Sequence, residues 1–147
     1  MHQLFALLLN LILFAAFESE PVQRPQAWDA KSVAWQKIDP DGTKWAVLQG
    51  KSDVQGEAFT YAAFVPAGFH DFHAHSTDAR VAVVQGVLKV SFGESLDLEH
   101  LKSYPVGTFL YVPANVAHTM AADEDTVIIG TAAGPWHTEH PGGHHQH

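Results

Sequence analysis

Cysteine is absent from this chain, which excludes a disulfide framework and any metal site built on thiolates. Basic residues are scarce: eight Lys and Arg stand against sixteen Asp and Glu, for a formal net charge of −8. They are scattered singly, so no basic face can neutralise a run of phosphates, and nucleic acid is not an expected partner. No internal repeat of solenoid length is evident. The chain also lacks an apolar run that crosses a bilayer comfortably, because the longest, Leu4 to Phe17, has only about fourteen residues before the polar Glu18-Ser19-Glu20-Pro21. That length suits the central region of a secretory signal, so export to the periplasm or the exterior is expected. No Lys or Arg precedes the run and no Ala-x-Ala site stands before Glu18, which keeps an uncleaved membrane anchor as the alternative. Residues 1–20 are therefore set aside as signal or anchor, and residues 21–32 as linker and lead-in.

With 46% of its 147 residues apolar, the remainder can bury one sizeable core and hardly two. Residues 33–136 read as one all-β domain. Val33 to Ile38, Lys44 to Leu48 and Ala58 to Val65 are rich in β-branched and aromatic residues and are bounded by Gly and Pro turns. Arg80 to Gln85 and Val87 to Phe92 flank Gly86, which predicts a hairpin, with Leu88, Val90 and Phe92 pointing inward. Phe109 to Val112, Val116 to Ala121 and Thr126 to Thr131 complete the strands, and Leu96 to Leu101 is left for a short helix or turn. Many short strands at close spacing indicate a small antiparallel barrel or a two-sheet sandwich. Residues 137–147 mix five histidines with Pro and Gly; a mobile tail is expected, able to scavenge zinc, copper or nickel or simply solvated.

The chemistry concentrates between Gly68 and His118. In an extended strand, side chains at i and i+2 share a face, so His73 and His75 can converge on one point. His118, on a strand folded back beside them, can supply a third imidazole. Three neutral imidazoles inside a barrel make a divalent-metal site with open coordination positions. Asp71 shares strand parity with His73 and His75 and is a candidate second acceptor that sets an imidazole tautomer. His70 has the opposite parity and is expected to point away. Asp78 is either a turn cap or an extra carboxylate, and Arg80 either steers a substrate carboxylate or sits on the surface. Tyr61, Tyr111 and Phe109 are expected to pack the barrel, the two phenols doubling as pocket donors.

The segments Gly68-x4-His73-x-His75, running on to Gly86, and Gly107-x5-Pro113-x-Asn115-x2-His118 resemble the paired motifs of the cupin superfamily. The first has one residue fewer between Gly and His than the family pattern, and the second carries Asn115 and Ala122 where Gly and Asn are usual. The run Ser76 to Gly86, the segment Phe92 to Asp97 and the closing Gly130 to Trp136 further resemble small single-domain cupins, often exported and of unsettled activity. In those a Glu commonly precedes the Arg, where this chain has Ala79. The resemblance implies a jelly-roll barrel holding one divalent ion (Fe, Zn, Mn, Ni or Cu) on His73, His75 and His118, without the usual carboxylate ligand. It further implies a small anionic organic ligand, dioxygenase or Lewis-acid chemistry, or alternatively metal or metabolite sensing without catalysis. A homodimer formed through sheet edges is a further expectation.

Overall fold

The computed structural model describes residues 24–142; the Leu4 to Phe17 run and the last five residues lie outside them. Among the described residues there is no helix, and eleven strands form two antiparallel sheets. In chain order they are β1 (Lys37–Ile38), β2 (Lys44–Gln49), β3 (Ala58–Val65), β4 (His70–His75), β5 (Ala79–Gln85), β6 (Val87–Phe92), β7 (Lys102–Pro105), β8 (Phe109–Val112), β9 (His118–Ala121), β10 (Thr126–Ala133) and β11 (Thr138–Glu139). One sheet runs β1-β2-β3-β10-β5-β8 and the other β11-β4-β9-β6-β7. Strand order far from chain order, with two sheets enclosing one interior, is jelly-roll topology.

The barrel interior is apolar because alternate residues of strands from both sheets face it: Ala79, Val81 and Val83 of β5, Leu88 and Val90 of β6, Leu110 and Val112 of β8, and Ile128 of β10 form one buried cluster. The outer face of the larger sheet would leave Ala46 and Ala62 bare. The lead-in covers it, with Val33 buried against both and Trp35 packed alongside. Strand character predicted for Val33 to Ile38 is confined to β1, because Gln36 pairs in another way. Its side-chain amide both donates to the Val47 carbonyl and accepts from the Val47 amide, each at 3.0 Å.

Gly86 does not make the predicted hairpin. Strands β5 and β6 lie in different sheets, and a single intervening residue is too short to turn a strand back on itself. Gly86, at φ 71°, instead carries the chain around the corner from one sheet to the other. A side chain there would meet the Asp125 carbonyl oxygen at 2.7 Å, so backbone freedom and close approach both require glycine. Phe92 is not buried with Leu88 and Val90: at the end of β6 it is 47% exposed, its ring 5.8 Å from that of His118, while Ser91 is buried and donates its hydroxyl to the Asp97 carbonyl at 2.7 Å. Leu96 to Leu101 is a loop rather than a helix, closed by the Asp97 carboxylate accepting from the Glu99 and His100 amides. Phe109 and Tyr111 were expected to pack the barrel but point outward, at 66% and 53% exposed, because Leu110 and Val112 take the inward parity of β8.

The described part of the tail is ordered, contrary to expectation. Strand β11 pairs with β4, Thr138 opposite His75 and Glu139 opposite Ala74. The Ser76 amide and hydroxyl bind the His137 carbonyl and the Pro135 carbonyl, and the Ser76 hydroxyl accepts from the His137 amide. These bonds, and the packing of Trp136 against Phe59 and Tyr61, pin the segment where composition alone suggested solvent.

Candidate metal centre

Period-two alternation along β4 puts Asp71, His73 and His75 on one face, and β9 returns antiparallel so that His118 lies directly opposite His73. The loop that delivers His118 is tied to β4 by the Asn115 amide, which donates to the His75 carbonyl at 2.8 Å. Asn115 adopts φ 60°, a left-handed conformation that glycine or asparagine tolerates best. Ring centroids are 4.7 Å apart for His73 and His75, 4.5 Å for His73 and His118, and 5.2 Å for His75 and His118. One ring nitrogen from each of the three lies within 4.8 Å of the others. His73 and His118 are buried at 3% exposure.

Hydrogen-bond partners select the tautomers. The His118 Nδ1–H donates to the Val116 carbonyl at 2.9 Å, which leaves Nε2 as its lone-pair nitrogen. The Asp71 Oδ2 faces His73 Nδ1 at 2.9 Å and His140 Nε2 at 3.0 Å. Burial by itself would raise the Asp71 carboxyl, but the hydrogen bonds and charges of His73 and His140 outweigh it and hold it at about 2. Asp71 is thus an anionic acceptor at neutral pH, and both imidazoles donate to it. Burial, reinforced by the neighbouring imidazoles, lowers His75 to about 2 and His118 to about 4, so both stay neutral as a metal requires. His75 Nδ1 is the one buried side-chain nitrogen or oxygen without a hydrogen-bond partner among the described residues. An orphaned imidazole nitrogen in a neutral, tautomer-set cluster is a donor set that fits a divalent cation.

The cluster opens into a cavity of about 440 Å³ between the sheets, walled by Val81, Leu88, Val90, Leu110, Val112 and Ile128, with Ala79 in the same wall. Trp136 stacks on His75 at 4.4 Å and 24°. Tyr61 lines the cavity and is stacked on Trp45 at 4.4 Å, with burial pushing its phenol up. Asp78, Arg80 and Tyr111 are not brought to the cavity. Arg80, the residue after inward-facing Ala79, is exposed and lies over the Tyr111 ring at 5.3 Å, while Asp78 accepts from the Ala114 amide at 2.8 Å and the Tyr111 hydroxyl at 3.0 Å. His70 faces the other side of β4, toward a separate pocket. Sequence reasoning missed His140 and Trp136 as parts of the site. The histidine-rich composition around them was a signal, but nothing local showed that this segment pairs with β4.

A jelly-roll barrel with three convergent imidazoles at one cavity defines the chain as a cupin whose His group can hold a metal ion. It belongs to the family described as the ChrR cupin-like domain, which matches residues 23–137. Among solved structures, an RmlC-like cupin from Shewanella frigidimarina aligns with a TM-score of 0.56 and 19% identity, covering 76% of this chain and 92% of that one. KdgF from Halomonas sp. aligns at 0.53 and 18%, covering 71% and 90%. The complex of SigE with the anti-sigma ChrR from Rhodobacter sphaeroides aligns at 0.53 and 20%, covering 70% of this chain and 51% of that one. At such identities these likenesses speak to fold alone. No curated protein matches the chain in sequence.

Proposed function

We propose that His73, His75 and His118 hold one divalent metal ion, and that this ion binds a small anionic organic molecule as a dioxygenase-type or Lewis-acid centre. The observation that carries this reading is the donor geometry: three ring nitrogens within 4.8 Å, with carboxylate and carbonyl partners holding two of the rings in place. A bound divalent ion would supply Lewis acidity or, if redox-active, electron exchange with its ligand. The protein's own part is positional. Asp71 orients His73, the Val116 carbonyl orients His118, and Trp136 fixes the plane of His75 by stacking. The apolar wall offers interior water no hydrogen-bond partner, and the His140 Nε2–H bonded to Asp71 is a proton held beside the imidazole cluster. With Ala79 in the wall, the three ligands are all imidazoles and the nearby Asp71 carboxylate acts through His73, which favours an anionic ligand.

A non-catalytic sensor is the second reading, favoured by the family match and by the anti-sigma ChrR relative. The apolar run at Leu4 to Phe17 supports export of either kind of protein. Elemental analysis of the full chain tests the metal centre, with His144, His145 and His147 replaced by Ala so that the tail does not contribute. One ion per chain that disappears in His75→Ala is the expected result. Metal that survives His75→Ala and His118→Ala would remove the barrel site. Oxygen uptake with screened keto acids, diketones and aromatic acids then separates enzyme from sensor.

A further inference from the structure

The cavity distributes polarity unevenly. Its imidazole end holds the donor nitrogens, and beyond it the wall is aliphatic, with Val81, Leu88, Val90, Leu110, Val112 and Ile128 facing the space. Two ammonium groups belong to residues at the cavity edge, each held by another lining residue there: Lys37 pairs with Asp39 at 3.0 Å, and Lys44 lies over the Phe64 ring at 4.5 Å. The remaining cationic candidate, His140, is bonded to Asp71. Among the described residues, no cationic side chain belongs to the aliphatic wall, where a second anionic group deep in the barrel would lie. Hydroxyl groups of a guest would find no partner on the wall of Val81, Leu88, Val90, Leu110, Val112 and Ile128, because the polar lining residues, among them Asp39, Asp41, Thr43, Tyr61 and Thr138, stand outside that wall.

Resting on the metal reading above, we infer that the ligand is a singly charged oxygen chelator carrying an alkyl or aryl body, and not a polyol acid or a dianion. The anionic head meets the ion at the imidazole end, and the body replaces water against the aliphatic wall. A volume of about 440 Å³ lies within the range of roughly 300–1,000 Å³ usual for small-molecule sites. Ala79, buried at 1% exposure in the wall, contributes room as well as neutrality. A larger side chain there would occupy the space the body needs.

The test uses the full chain loaded with zinc, its metal content measured first, titrated with phenylpyruvate, pyruvate, gluconate and phenylacetone and followed by the fluorescence of Trp45 and Trp136. Phenylpyruvate is expected to bind at least about tenfold more tightly than pyruvate, since burying one aromatic ring is worth at least that much. Gluconate should be weaker than both, and phenylacetone, without the carboxylate, weaker than phenylpyruvate. Ala79→Leu that still holds zinc should lose the phenylpyruvate advantage. Equal affinities for phenylpyruvate and pyruvate, or tighter gluconate binding, in a zinc-loaded protein would overturn the inference while leaving the metal site intact. Failure to load zinc would instead overturn the reading beneath it, so the two failures are separable.

Discussion

Replacing Asp71 with Asn removes one charge and almost no volume, and the structure states what that charge does. Its Oδ2 accepts from His73 at 2.9 Å and from His140 at 3.0 Å. The carboxyl is held at about 2 against an ordinary 3.8, which corresponds to about 2 kcal/mol of stabilisation at neutral pH. Partial contact with water screens the interaction and brings this to about 1–2 kcal/mol. Because the native pKa is depressed, the contribution is fully present above about 4 and is lost as pH falls toward about 2. Asp71→Asn should therefore lower Tm by roughly 3–8 °C at pH 7, and the gap from the parent should persist down to about pH 4 and close below it. Loss of the acceptor that orients a metal-binding imidazole should also weaken zinc binding by about 10–100-fold, read by competition with a chromophoric chelator. An Asp71→Asn protein as stable as the parent, with zinc affinity unchanged, would refute the role assigned to this carboxylate.

Three further outcomes can be checked. In Gly130→Ala the new Cβ would sit 2.4 Å from Tyr61 Cζ, in a ring stacked on Trp45 and packed on Trp136; a loss of about 2 kcal/mol or more is expected by denaturant unfolding, with a smaller loss when Tyr61→Leu is present. His118, lowered from 6.5 to about 4 by burial and by His73, stays neutral when folded while the unfolded chain takes up protons below about 6.5. His118 should thus cost the metal-free protein roughly 3 kcal/mol as pH falls from 6.5 to 4, with His75, lowered to about 2, adding a similar amount, and flat stability over that interval would contradict the assignment. His140→Ala removes one hydrogen bond to Asp71 and should speed zinc loss to a chelator by about twofold to tenfold, while equal extraction rates would show that the tail does not support the site.

Much of the fold was legible locally. Strands β3, β6 and β8 begin and end where runs of β-branched and aromatic residues meet Gly, Pro or polar breaks. Inward and outward assignments within them were less secure, because alternation says which residues share a face and not which face is covered. Phe109 and Tyr111 are aromatic and yet lie outward, since Leu110 and Val112, of the opposite parity, occupy the interior, while Phe92 shares the parity of Leu88 and Val90 but stands at the end of β6, exposed beside His118. Gly86 announced a change of direction correctly, but the sheet that the next strand joins depends on partners far along the chain.

The amino-acid order by itself determined that His73 and His75 share a face with Asp71, because side-chain alternation in an extended strand is a property of the local backbone. It also showed Asn115 at the position where the resembling motif has Gly, and Ala79, with no carboxyl to offer, where that family commonly has Glu; the left-handed turn at Asn115 and the wall position of Ala79 came from the fold. Only the tertiary structure decided that Asp71 holds two imidazoles, that Trp136 stacks on His75, and that the carboxyl-terminal segment becomes a strand beside β4. The Asp71–His73 bond is local, two positions along β4, but the contacts of Asp71 with His140, of Trp136 with His75 and of β11 with β4 join residues more than sixty positions apart, and their geometry arises when two sheets close around a shared interior.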